Sequence, residues 1–491
     1  MKYNYQTLNQ LFEHQVERNP ENIAVSDNQC RLTYGELNSR CNRAAHYLIS
    51  EGIKPEMFVG IVMDHTVDMV VAIMAVIKSG GAYVILEPDF PPERIAFILE
   101  ETGTKKVFTQ KKYAHLFDND KELITDINAL PAFHDTNPDN GNTERNILYA
   151  LYTSGSTGKP KGIIVEHRNV INYVKAFRYE FAINSSDRML QCSVCTFDIF
   201  VEELYPVLLN GGTLVIADKE QRDNPEKLVA LMHRENITIM SGFPYLLQDI
   251  SSMKMPASLR LIITGGDVLK PQYIPELPAI EIYNTYGPSE TTVCATYYNF
   301  RNGTSERDSV PIGKPVHGVQ VYILDEDLKP VKDGDMGEIC IAGKGVSRGY
   351  INRPEETARN FVVNPYNPQE MMFRSGDLGI RLQDGNIDFI RRKDAQVMIK
   401  GKRVEPLEVE NILLHYDGIK LAVVQALTND DGMHYLAAYY ETNRNVDKNK
   451  LLVYLKNYLP EYMIPERIAR MDTLPRTHNG KIDRNAIKQN N

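Results

Sequence analysis

The stretch Leu151–Gly162 reads LYTSGSTGKPKG and directly follows the apolar, strand-like run that starts at Ile147. It holds three glycines, five hydroxyl side chains and two lysines. Glycines let backbone N–H groups approach phosphate oxygens, hydroxyls donate further hydrogen bonds, and lysines add positive charge. The composition predicts a loop that binds a polyanion. A mobile Ser/Gly linker seldom carries paired lysines behind a buried strand.

This loop is not the nucleotide loop of P-loop NTPases. That signature needs a glycine, four residues and then Gly-Lys-Ser/Thr. Here Gly155 and Gly158 are too close together, and Pro160 stands where the helix-opening hydroxyl should be. A phosphate loop of another kind is required.

Length and charge restrict the class of protein. A chain of 491 residues is too long for one core and predicts two or more domains. The net charge of −9 and the pI near 5.8 argue against a nucleic-acid binder, which would show a basic face. An acidic protein can still bind an anion where positive charge is concentrated, as at Lys159 and Lys161.

Targeting and cysteine patterns indicate a cytoplasmic protein that binds no membrane. The N-terminal MKYNYQTLNQLF has no apolar segment behind its lysine, and the longest apolar run, Met69–Ile77, is too short to span a bilayer. Six scattered cysteines form no disulfide framework. Cys192 and Cys195 make a lone CxxC without a second pair or a histidine at metal spacing, so we expect no zinc there.

Up to about residue 390 the pattern alternates short apolar runs with amphipathic segments, which indicates α/β layers. No internal repeat is present. The predicted helices and strands with the strongest patterns are helices at 7–18, 37–50 and 67–78 and strands at 58–63 and 82–86.

The local pattern changes after Arg391, where RRKDAQVMIKGKRVEP is dense in cations. Beyond it we predict a small α+β domain, with the boundary near Asp394. Its predicted elements are helices at 406–415 and 448–459 and strands at 421–426 and 435–441.

Ten motifs, taken in order, resemble the core motifs of the amino-acid adenylation domains of nonribosomal peptide synthetases, in the adenylate-forming superfamily. One match would be weak, but ten in register are specific. Besides the phosphate loop they are LTYGEL (Leu32–Leu37), KSGGAYVILEPDFPPER (Lys78–Arg94), FDIFVEE (Phe197–Glu203), NTYGPSETT (Asn284–Thr292), GEICIAGKGVSRGY (Gly337–Tyr350), FRSGDL (Phe373–Leu378), RRKDAQVMIKGKRVEPLEVE (Arg391–Glu410), LPEYMIP (Leu459–Pro465) and NGKIDR (Asn479–Arg484).

The resemblance implies an N-terminal adenylation core over residues 1–393 and a mobile C-terminal lid over 394–491 that turns about Asp394. It implies ATP and Mg²⁺ as cofactors, with Glu290 as the metal ligand. The ATP contacts that it implies are Thr153, Ser154, Gly155, Ser156, Thr157, Gly158, Lys159, Lys161, Gly265, Gly266, Asn284, Tyr286, Gly287, Asp377, Phe389, Arg392 and Lys481.

Within that set, the resemblance gives Lys481, Glu290 and Thr153 catalytic roles. A compact ammonium such as that of Lys481 can neutralise both the attacking carboxylate and the α-phosphate. The implied second half-reaction passes the acyl group to the pantetheine thiol of a carrier protein, so carrier and neighbouring synthetase modules are the expected partners.

The motif FDIFVEE carries the substrate signal. Asp198 matches the family aspartate that binds an α-ammonium group, so an α-amino acid is expected. The pocket positions that the resemblance implies are Asp198, Ile199, Glu202, Ser241, Ile263, Gly265, Thr285, Val293, Cys294 and Lys481.

Glu202 follows Asp198 by four residues, so both carboxylates lie on one face if the segment is helical. Burying two anions together is costly unless cations satisfy them. We therefore predict a cationic side chain, and arginine before ornithine or lysine, because its planar fork can bond Glu202 on both oxygens and reach Ser241.

Tyrosine is the main competitor, since its phenol can donate to Glu202, and the pocket resembles those of arginine- and tyrosine-activating domains of anabaenopeptin synthetases. If Glu202 faced solvent, neutral amino acids would be expected. The other functions open at this point are an acyl- or aryl-CoA synthetase and a catalytically silent nucleotide-binding protein. One departure from the family pattern is Glu87, where the family usually has aspartate.

Overall fold

The structure is a computed structural model of the chain. It describes residues 6–117, 120–131, 133–155, 159–274, 280–302, 310–394, 396–399, 401–429, 433–476 and 482–489.

The chain packs as two compact units. Of the described residues, the larger unit takes those within Met1–Pro88, Leu99–Leu151 and Gly162–Arg391. The smaller unit takes those within Asp89–Ile98, Tyr152–Lys161 and Arg392–Asn491. The predicted α/β class, with a large N-terminal and a small C-terminal domain, is confirmed. Domain limits at 1–393 and 394–491 stay a prediction.

The helices of the described residues, in chain order, are α1 (Leu8–Arg18), α2 (Tyr34–Ser50), α3 (Val67–Ser79), α4 (Pro92–Glu101), α5 (His167–Phe181), α6 (Ile199–Leu208), α7 (Lys219–Arg222), α8 (Pro225–Arg234), α9 (Pro244–Ile250), α10 (Pro354–Asn360), α11 (Pro406–Leu414), α12 (Lys448–Tyr458) and α13 (Arg484–Gln489). Among these helices, none is both long and apolar enough to cross a membrane.

The strands of the described residues, in chain order, are β1 (Ile23–Ser26), β2 (Arg31–Thr33), β3 (Phe58–Val62), β4 (Ala82–Ile85), β5 (Lys106–Thr109), β6 (Glu122–Ile124), β7 (Ile147–Thr153), β8 (Lys161–Glu166), β9 (Arg188–Gln191), β10 (Thr213–Ile216), β11 (Ile239–Gly242), β12 (Leu261–Gly265), β13 (Glu281–Tyr286), β14 (Thr296–Asn299), β15 (Lys314–Pro315), β16 (Val319–Leu324), β17 (Met336–Gly343), β18 (Gly349–Tyr350), β19 (Phe361–Val363), β20 (Met371–Arg381), β21 (Ile387–Arg392), β22 (Val397–Ile399), β23 (Lys402–Val404), β24 (Ile419–Thr428), β25 (His434–Thr442) and β26 (Arg467–Arg470).

Three sheets build the larger unit. One has nine strands in the order β15-β14-β13-β12-β11-β9-β10-β1-β2, and one has seven in the order β18-β8-β7-β4-β3-β5-β6. The third has the order β16-β17-β20-β19, with β21 paired to β20. In the nine-stranded sheet the run from β13 to β1 is parallel. Loops that leave the carboxyl ends of such strands are the usual place for a ligand.

The helix α3 shows how the local sequence fixes an element. It is apolar all round, and nearly every side chain from Val67 to Ser79 is buried. A helix of that kind belongs in the core of a large domain. It ends at Gly80, whose φ of 91° suits glycine best.

The helix α2 begins at Tyr34 and not at the predicted Leu37. Its start is fixed by a capping box, in which the Glu36 N–H donates to the hydroxyl of Thr33 at 3.2 Å and the Thr33 N–H donates to the Glu36 carboxylate at 2.8 Å. Each bond satisfies a backbone or side-chain group that the first turn leaves open. The helix therefore gains one turn over the prediction, which counted only the apolar face.

The smaller unit has its own sheets and core. The strands β22 and β23 form a hairpin, and β24, β25 and β26 form a three-stranded sheet. The helices α11 and α12 pack on this sheet through buried leucine and valine side chains, among them Val409, Leu413, Leu451 and Leu455. The predicted order of helix, two strands and helix is confirmed.

Gly313 tests how closely the neighbouring chain packs against the backbone of β14. Its φ is +92°, and a Cβ there would lie 2.0 Å from the carbonyl oxygen of Tyr297. Gly103 also has a positive φ, of +65°, but open space around it. We expect Gly103→Ala to lower the free energy of unfolding by about 1–2 kcal/mol through the backbone alone.

Gly313→Ala should cost a further 1–3 kcal/mol or so, because the backbone of β14 must move. Urea unfolding of the two variants measures the difference. Equal losses would show that the sheet can yield at this position without penalty.

Candidate active site

A buried carboxylate lies at the centre of the larger unit. Glu202, on α6, is 2% exposed and accepts hydrogen bonds from the hydroxyls of Tyr173 and Ser241. Tyr173 holds Oε2 and Ser241 holds Oε1. The thiol of Cys294 lies 3.7 Å from Oε2. Three neutral donors from three separate elements therefore surround this side chain.

No cation accompanies Glu202 within the described part of the chain. Burial raises the pKa of Glu202 above its usual value, and the neighbouring Asp198 adds to the rise, while the bonds from Ser241 and Tyr173 oppose it. A buried carboxylate is normally paired with a positive charge. The arrangement thus provides a place for a cation that the described residues do not supply.

Asp198 stands at the N-terminal end of α6, which runs over Ile199–Leu208, so the segment is helical as the argument from spacing requires. The Asp198 Oδ2 accepts a hydrogen bond of 2.5 Å from the Ser289 hydroxyl. The charge of Asp198 also raises the pKa of Glu202. The two residues are four positions apart at the start of α6, the spacing that places side chains on one helix face.

Of the remaining pocket positions, Ile199 is the first residue of α6, Val293 and Cys294 precede β14, and four lie in the parallel strands β11 to β13. Ser241 on β11 pairs with Ile263 on β12, and Gly265 at the end of β12 pairs with Thr285 on β13. A Cβ on Gly265 would lie 2.3 Å from the Thr285 hydroxyl oxygen. Glycine is therefore required here by the close approach of β13.

Backbone strain marks the segment that leads into β14. Thr292 and Val293 have φ values of 63° and 70°, which are rare for β-branched residues. The Thr292 hydroxyl holds the turn by donating to the Gly345 carbonyl at 2.7 Å. Such strain concentrates at functional sites, where the surrounding structure enforces it. It leads directly to Cys294, which faces Glu202.

The residues predicted to hold the nucleoside also lie together in the larger unit. The Asn284 amide nitrogen donates to the carbonyls of residues 310 and 311 at 3.2 and 2.9 Å, which leaves its oxygen as an acceptor for an amino group. The Tyr286 hydroxyl donates to Asp377 at 2.5 Å, and its ring lies 6.4 Å from that of Phe389. Gly266 follows β12 with a φ of 79°, Gly287 follows β13, and a Cβ on Gly287 would lie 2.5 Å from a backbone carbonyl oxygen.

Glu290 follows that segment and is fully buried. Its Oε1 accepts a hydrogen bond of 2.8 Å from the Tyr350 hydroxyl, which fixes its orientation. A carboxylate oriented in this way is the type of oxygen ligand that Mg²⁺ takes. The donor chemistry therefore fits the predicted metal ligand.

The described part of the phosphate loop belongs to the smaller unit. Ser154 donates to the Arg403 carbonyl at 2.9 Å and accepts from the Glu405 N–H at 3.0 Å. The buried Thr153 hydroxyl has no hydrogen-bond partner among the described residues. Ser156, Thr157 and Gly158 lie outside the described residues.

One loop amide already holds an anion. The Gly155 N–H donates to Glu408 Oε2 at 3.2 Å, and Arg94 holds Oε1 of the same carboxylate at 2.8 Å. A Cβ on Gly155 would lie 1.9 Å from the Lys159 carbonyl oxygen, so only glycine fits. Lys159 lies over the ring of Phe97, and Lys161 is buried. The Gly155 N–H therefore points at a negatively charged oxygen, and phosphate binding by the loop stays a prediction.

Two predicted residues of the smaller unit pair with one another. Arg392 holds both oxygens of Asp394, with N–O distances of 2.8 and 2.9 Å. Burial opposes ionisation of Asp394, but Arg392 brings its pKa below the usual value. Lys481, the predicted catalytic lysine, lies outside the described residues.

A second buried cluster, at Glu87, is structural. Glu87 Oε1 lies 2.9 Å from His65 Nε2 and accepts from the Cys195 N–H at 3.0 Å, and the Cys195 thiol lies at 2.9 Å. His65, Glu87 and Cys195 are close enough together to hold a metal ion. His65 is distant from Cys195 in the sequence, so the spacing of the CxxC motif does not reveal this histidine. However, Arg222 lies 3.4 Å from His65 Nε2, and its charge disfavours a cation. Burial opposes ionisation, yet His65 brings the pKa of Glu87 to about 2.

Two family models match the chain. The model of the AMP-binding enzyme family matches residues 12–351, and that of the AMP-binding enzyme C-terminal domain matches residues 408–481. The chain belongs to the AMP-binding enzyme family. It is an adenylate-forming ligase related to nonribosomal peptide synthetases.

Curated relatives of this ligase are much longer than the chain. It is 40% identical to bacitracin synthase 1 of Bacillus licheniformis over 482 residues, which is 98% of this chain and 9% of that protein. It is 36% identical to tyrocidine synthase 1 of Brevibacillus parabrevis over 98% of this chain and 45% of that protein. The chain thus spans less than half the length of each of these two synthases.

Solved structures share the fold of the ligase. An artificially fused adenylation–PCP di-domain from Klebsiella oxytoca has a TM-score of 0.85 at 23% identity, covering 96% of this chain and 95% of the other. An o-succinylbenzoate CoA synthetase from Bacillus subtilis has a TM-score of 0.86 at 22% identity, covering 98% of each chain. At these identities the likeness shows the fold alone.

Sequence reasoning missed several side chains that orient the predicted residues. They are Tyr173 at Glu202, Ser289 at Asp198, Tyr350 at Glu290, and Arg94 with Glu408 at the phosphate loop. Ser289, Tyr350, Arg94 and Glu408 lie inside recognised motifs, so motif membership was an available signal. Tyr173 lies in no motif, and its pairing depends on packing alone.

The hydrogen bond from Tyr286 to Asp377 generates a test of nucleotide binding by the ligase. Tyr286→Phe keeps the ring but removes the donor, and a hydrogen bond to a charged group contributes about 1.5–3 kcal/mol. We expect AMP, measured by calorimetry, to bind about tenfold or more weakly. Tyr322→Phe, a tyrosine stacked on Tyr366, is the matched control. Equal affinity for AMP in both variants would contradict the assignment of Asp377 to the nucleotide site.

Proposed function

We propose that the ligase activates an α-amino acid with a cationic side chain. The amino-acid carboxylate attacks the α-phosphorus of ATP, pyrophosphate leaves, and an aminoacyl adenylate forms. The acyl group then passes to the pantetheine thiol of a carrier protein with loss of AMP, as a step of nonribosomal peptide synthesis. Kinship with the peptide synthetases supports this reaction.

The observation that carries the substrate proposal is the buried Glu202. Its carboxylate has hydroxyl and thiol neighbours but no cation among the described residues. An ionised carboxylate left unpaired in such a place is strongly disfavoured. A substrate side chain with a positive charge would supply the missing partner, while Asp198 would hold the α-ammonium group.

The nucleotide roles follow the geometry of each group. Asn284 would accept from the adenine amino group, Tyr286 would stack on the base, and Asp377 would accept from the ribose hydroxyls. The Thr153 hydroxyl, which has no partner among the described residues, would contact a phosphate oxygen, and the Gly155 N–H would do so in exchange for its bond to Glu408. These groups act by positioning and charge, and no covalent intermediate with the enzyme is required.

Glu290 is the residue that would hold Mg²⁺, which, when bound, supplies positive charge at phosphate oxygens. We propose that Lys481 neutralises the attacking carboxylate and the developing charge on the α-phosphate. For the second half-reaction the family resemblance suggests that the C-terminal domain turns about Asp394. The carrier partner is proposed by analogy with the Klebsiella di-domain, whose description names an adenylation–PCP fusion.

Among basic amino acids, the sequence favours arginine because of its planar fork. An ionised carboxylate offers about four lone-pair positions. Ser241 and Tyr173 already use one on each oxygen, so a guanidinium would have to fit between them. The compact ammonium of lysine or ornithine needs only one position and competes directly with arginine.

Tyrosine is less well supported than a basic amino acid. A phenol, that of Tyr173, already donates to Glu202 from the protein itself. A second phenol would leave the negative charge of Glu202 uncompensated. Neutral amino acids meet the same difficulty, since Glu202 is buried and does not turn to solvent.

An acyl- or aryl-CoA synthetase is the alternative, because a CoA synthetase has the same fold. Asp198 argues against it, since an acyl substrate has no ammonium group. A catalytically silent protein is disfavoured by the intact residues Glu290, Asp377 and Lys481. Formation of a thioester with CoA would favour the CoA synthetase. Turnover of ATP would exclude the catalytically silent protein.

ATP–pyrophosphate exchange, run amino acid by amino acid, tests the proposal. We expect exchange with arginine, lysine or ornithine to exceed that with neutral amino acids. Glu202→Gln keeps the size and removes the charge, and truncating one partner of a buried charge pair costs about 2–5 kcal/mol. The kcat/KM for the preferred basic amino acid should therefore fall about 100-fold or more.

The matched control is Glu235→Gln, which alters a buried carboxylate that pairs with Arg31 and Arg188 outside the pocket. This variant should change the kcat/KM of exchange by the same factor for every amino acid. Undiminished exchange with a basic amino acid in Glu202→Gln would refute the charge-pairing proposal. If the wild type shows no exchange with any amino acid, the proposal that the protein activates an amino acid is refuted.

A further inference from the structure

Two buried tyrosines lie near the carboxylate of Glu202, and one of them, Tyr173, donates a hydrogen bond to it. Tyr173 projects from α5 and is 2% exposed, and its ring packs against Phe177 with centroids 6.0 Å apart. Tyr297 projects from β14 and is 7% exposed. Neither residue belongs to the predicted pocket positions.

Tyr173 stays protonated under working conditions. Burial, and then the charge of Glu202, raise its pKa well above the usual value. The phenol therefore serves as a donor to the carboxylate and does not compete with it for a proton. A neutral donor orients the carboxylate and favours its ionised form without cancelling the charge, as a lysine or arginine would.

Tyr297 extends the same set of hydroxyls. Burial, then Cys294 and Glu202, raise the pKa of Tyr297, while an interaction of its hydroxyl with Tyr173 opposes the rise. Tyr297 thus adds to the polar surroundings of Glu202 and leaves the role of donor to Tyr173.

From this geometry we infer that Tyr173 is a positioning residue that determines specificity for the cationic side chain, acting through Glu202. The inference rests on the proposed function, because it requires a cation at Glu202. Tyr173 fixes Oε2 while Ser241 fixes Oε1, so the carboxylate presents its remaining lone pairs in one direction.

The test compares Tyr173→Phe with Tyr205→Phe in the full chain. Tyr205 is an equally buried tyrosine on α6 whose hydroxyl donates to Tyr83 at 2.9 Å, away from Glu202. In Tyr173→Phe the KM for the preferred basic amino acid should rise about ten- to hundredfold, with little change in the KM for ATP. Exchange with a neutral amino acid of similar length should change less than threefold or so. Tyr205→Phe should leave both KM values near those of the wild type.

The pH dependence of kcat/KM distinguishes a positioning role of Tyr173 from a purely structural one, because only the positioning role predicts a shift. The groups facing Glu202 are Tyr173, Asp198, Ser241, Cys294 and Tyr297. Without the Tyr173 donor, the ionised form of Glu202 is less favoured, so a higher pH is needed to bind a cation. The acid limb of kcat/KM for the basic amino acid should move to higher pH, because kcat/KM reports ionisations of the free enzyme.

The two ways of failing are distinguishable. If the wild type shows no preference for basic amino acids, the proposed function fails before the variants are compared. If the wild type prefers a basic amino acid but Tyr173→Phe behaves as Tyr205→Phe, with an unmoved acid limb, the inference alone is overturned. Thermal unfolding of both variants checks that equal amounts of folded protein are compared.

Discussion

A carboxylate removed from water without a cation is the constraint on which the substrate site depends. Glu202 is held by Tyr173 and Ser241 through hydroxyls that orient the charge but do not neutralise it. In the proposed function, a positively charged substrate group offsets the cost of this burial. Burial raises the pKa of Glu202, so the proposed substrate cation and the ionised form of Glu202 stabilise each other.

The supporting scaffold places that residue with little freedom. The parallel strands β11, β12 and β13 bring Ser241, Ile263 and Thr285 to one edge of the sheet, and Gly265 allows β13 to approach closely. The strained backbone at Thr292 and Val293 then directs Cys294 toward Glu202. The pocket is thus built from strand ends and one helix, which hold side chains more rigidly than loops do.

Much of the local structure could be predicted from the sequence, since the apolar run at 67–78 predicts α3, which ends at Gly80. The spacing of Asp198 and Glu202 predicts that both carboxylates share one face on the condition that the segment is helical, which α6 meets. The order of the sheets could not, because pairing such as that of β9 with β10 and β11 depends on long-range burial. The same limit applies to the site. Tyr173 resembles an ordinary core tyrosine in the sequence, and only packing brings it to Glu202.

The most direct test of the charge-pairing account is a crystal structure of the ligase with a non-hydrolysable aminoacyl-adenylate analogue of its preferred amino acid. The account predicts a side-chain nitrogen about 3 Å from a carboxylate oxygen of Glu202, with Tyr173 still bonded to the other. A side chain that ends against apolar residues, with Glu202 bonded only to protein hydroxyls, would contradict it.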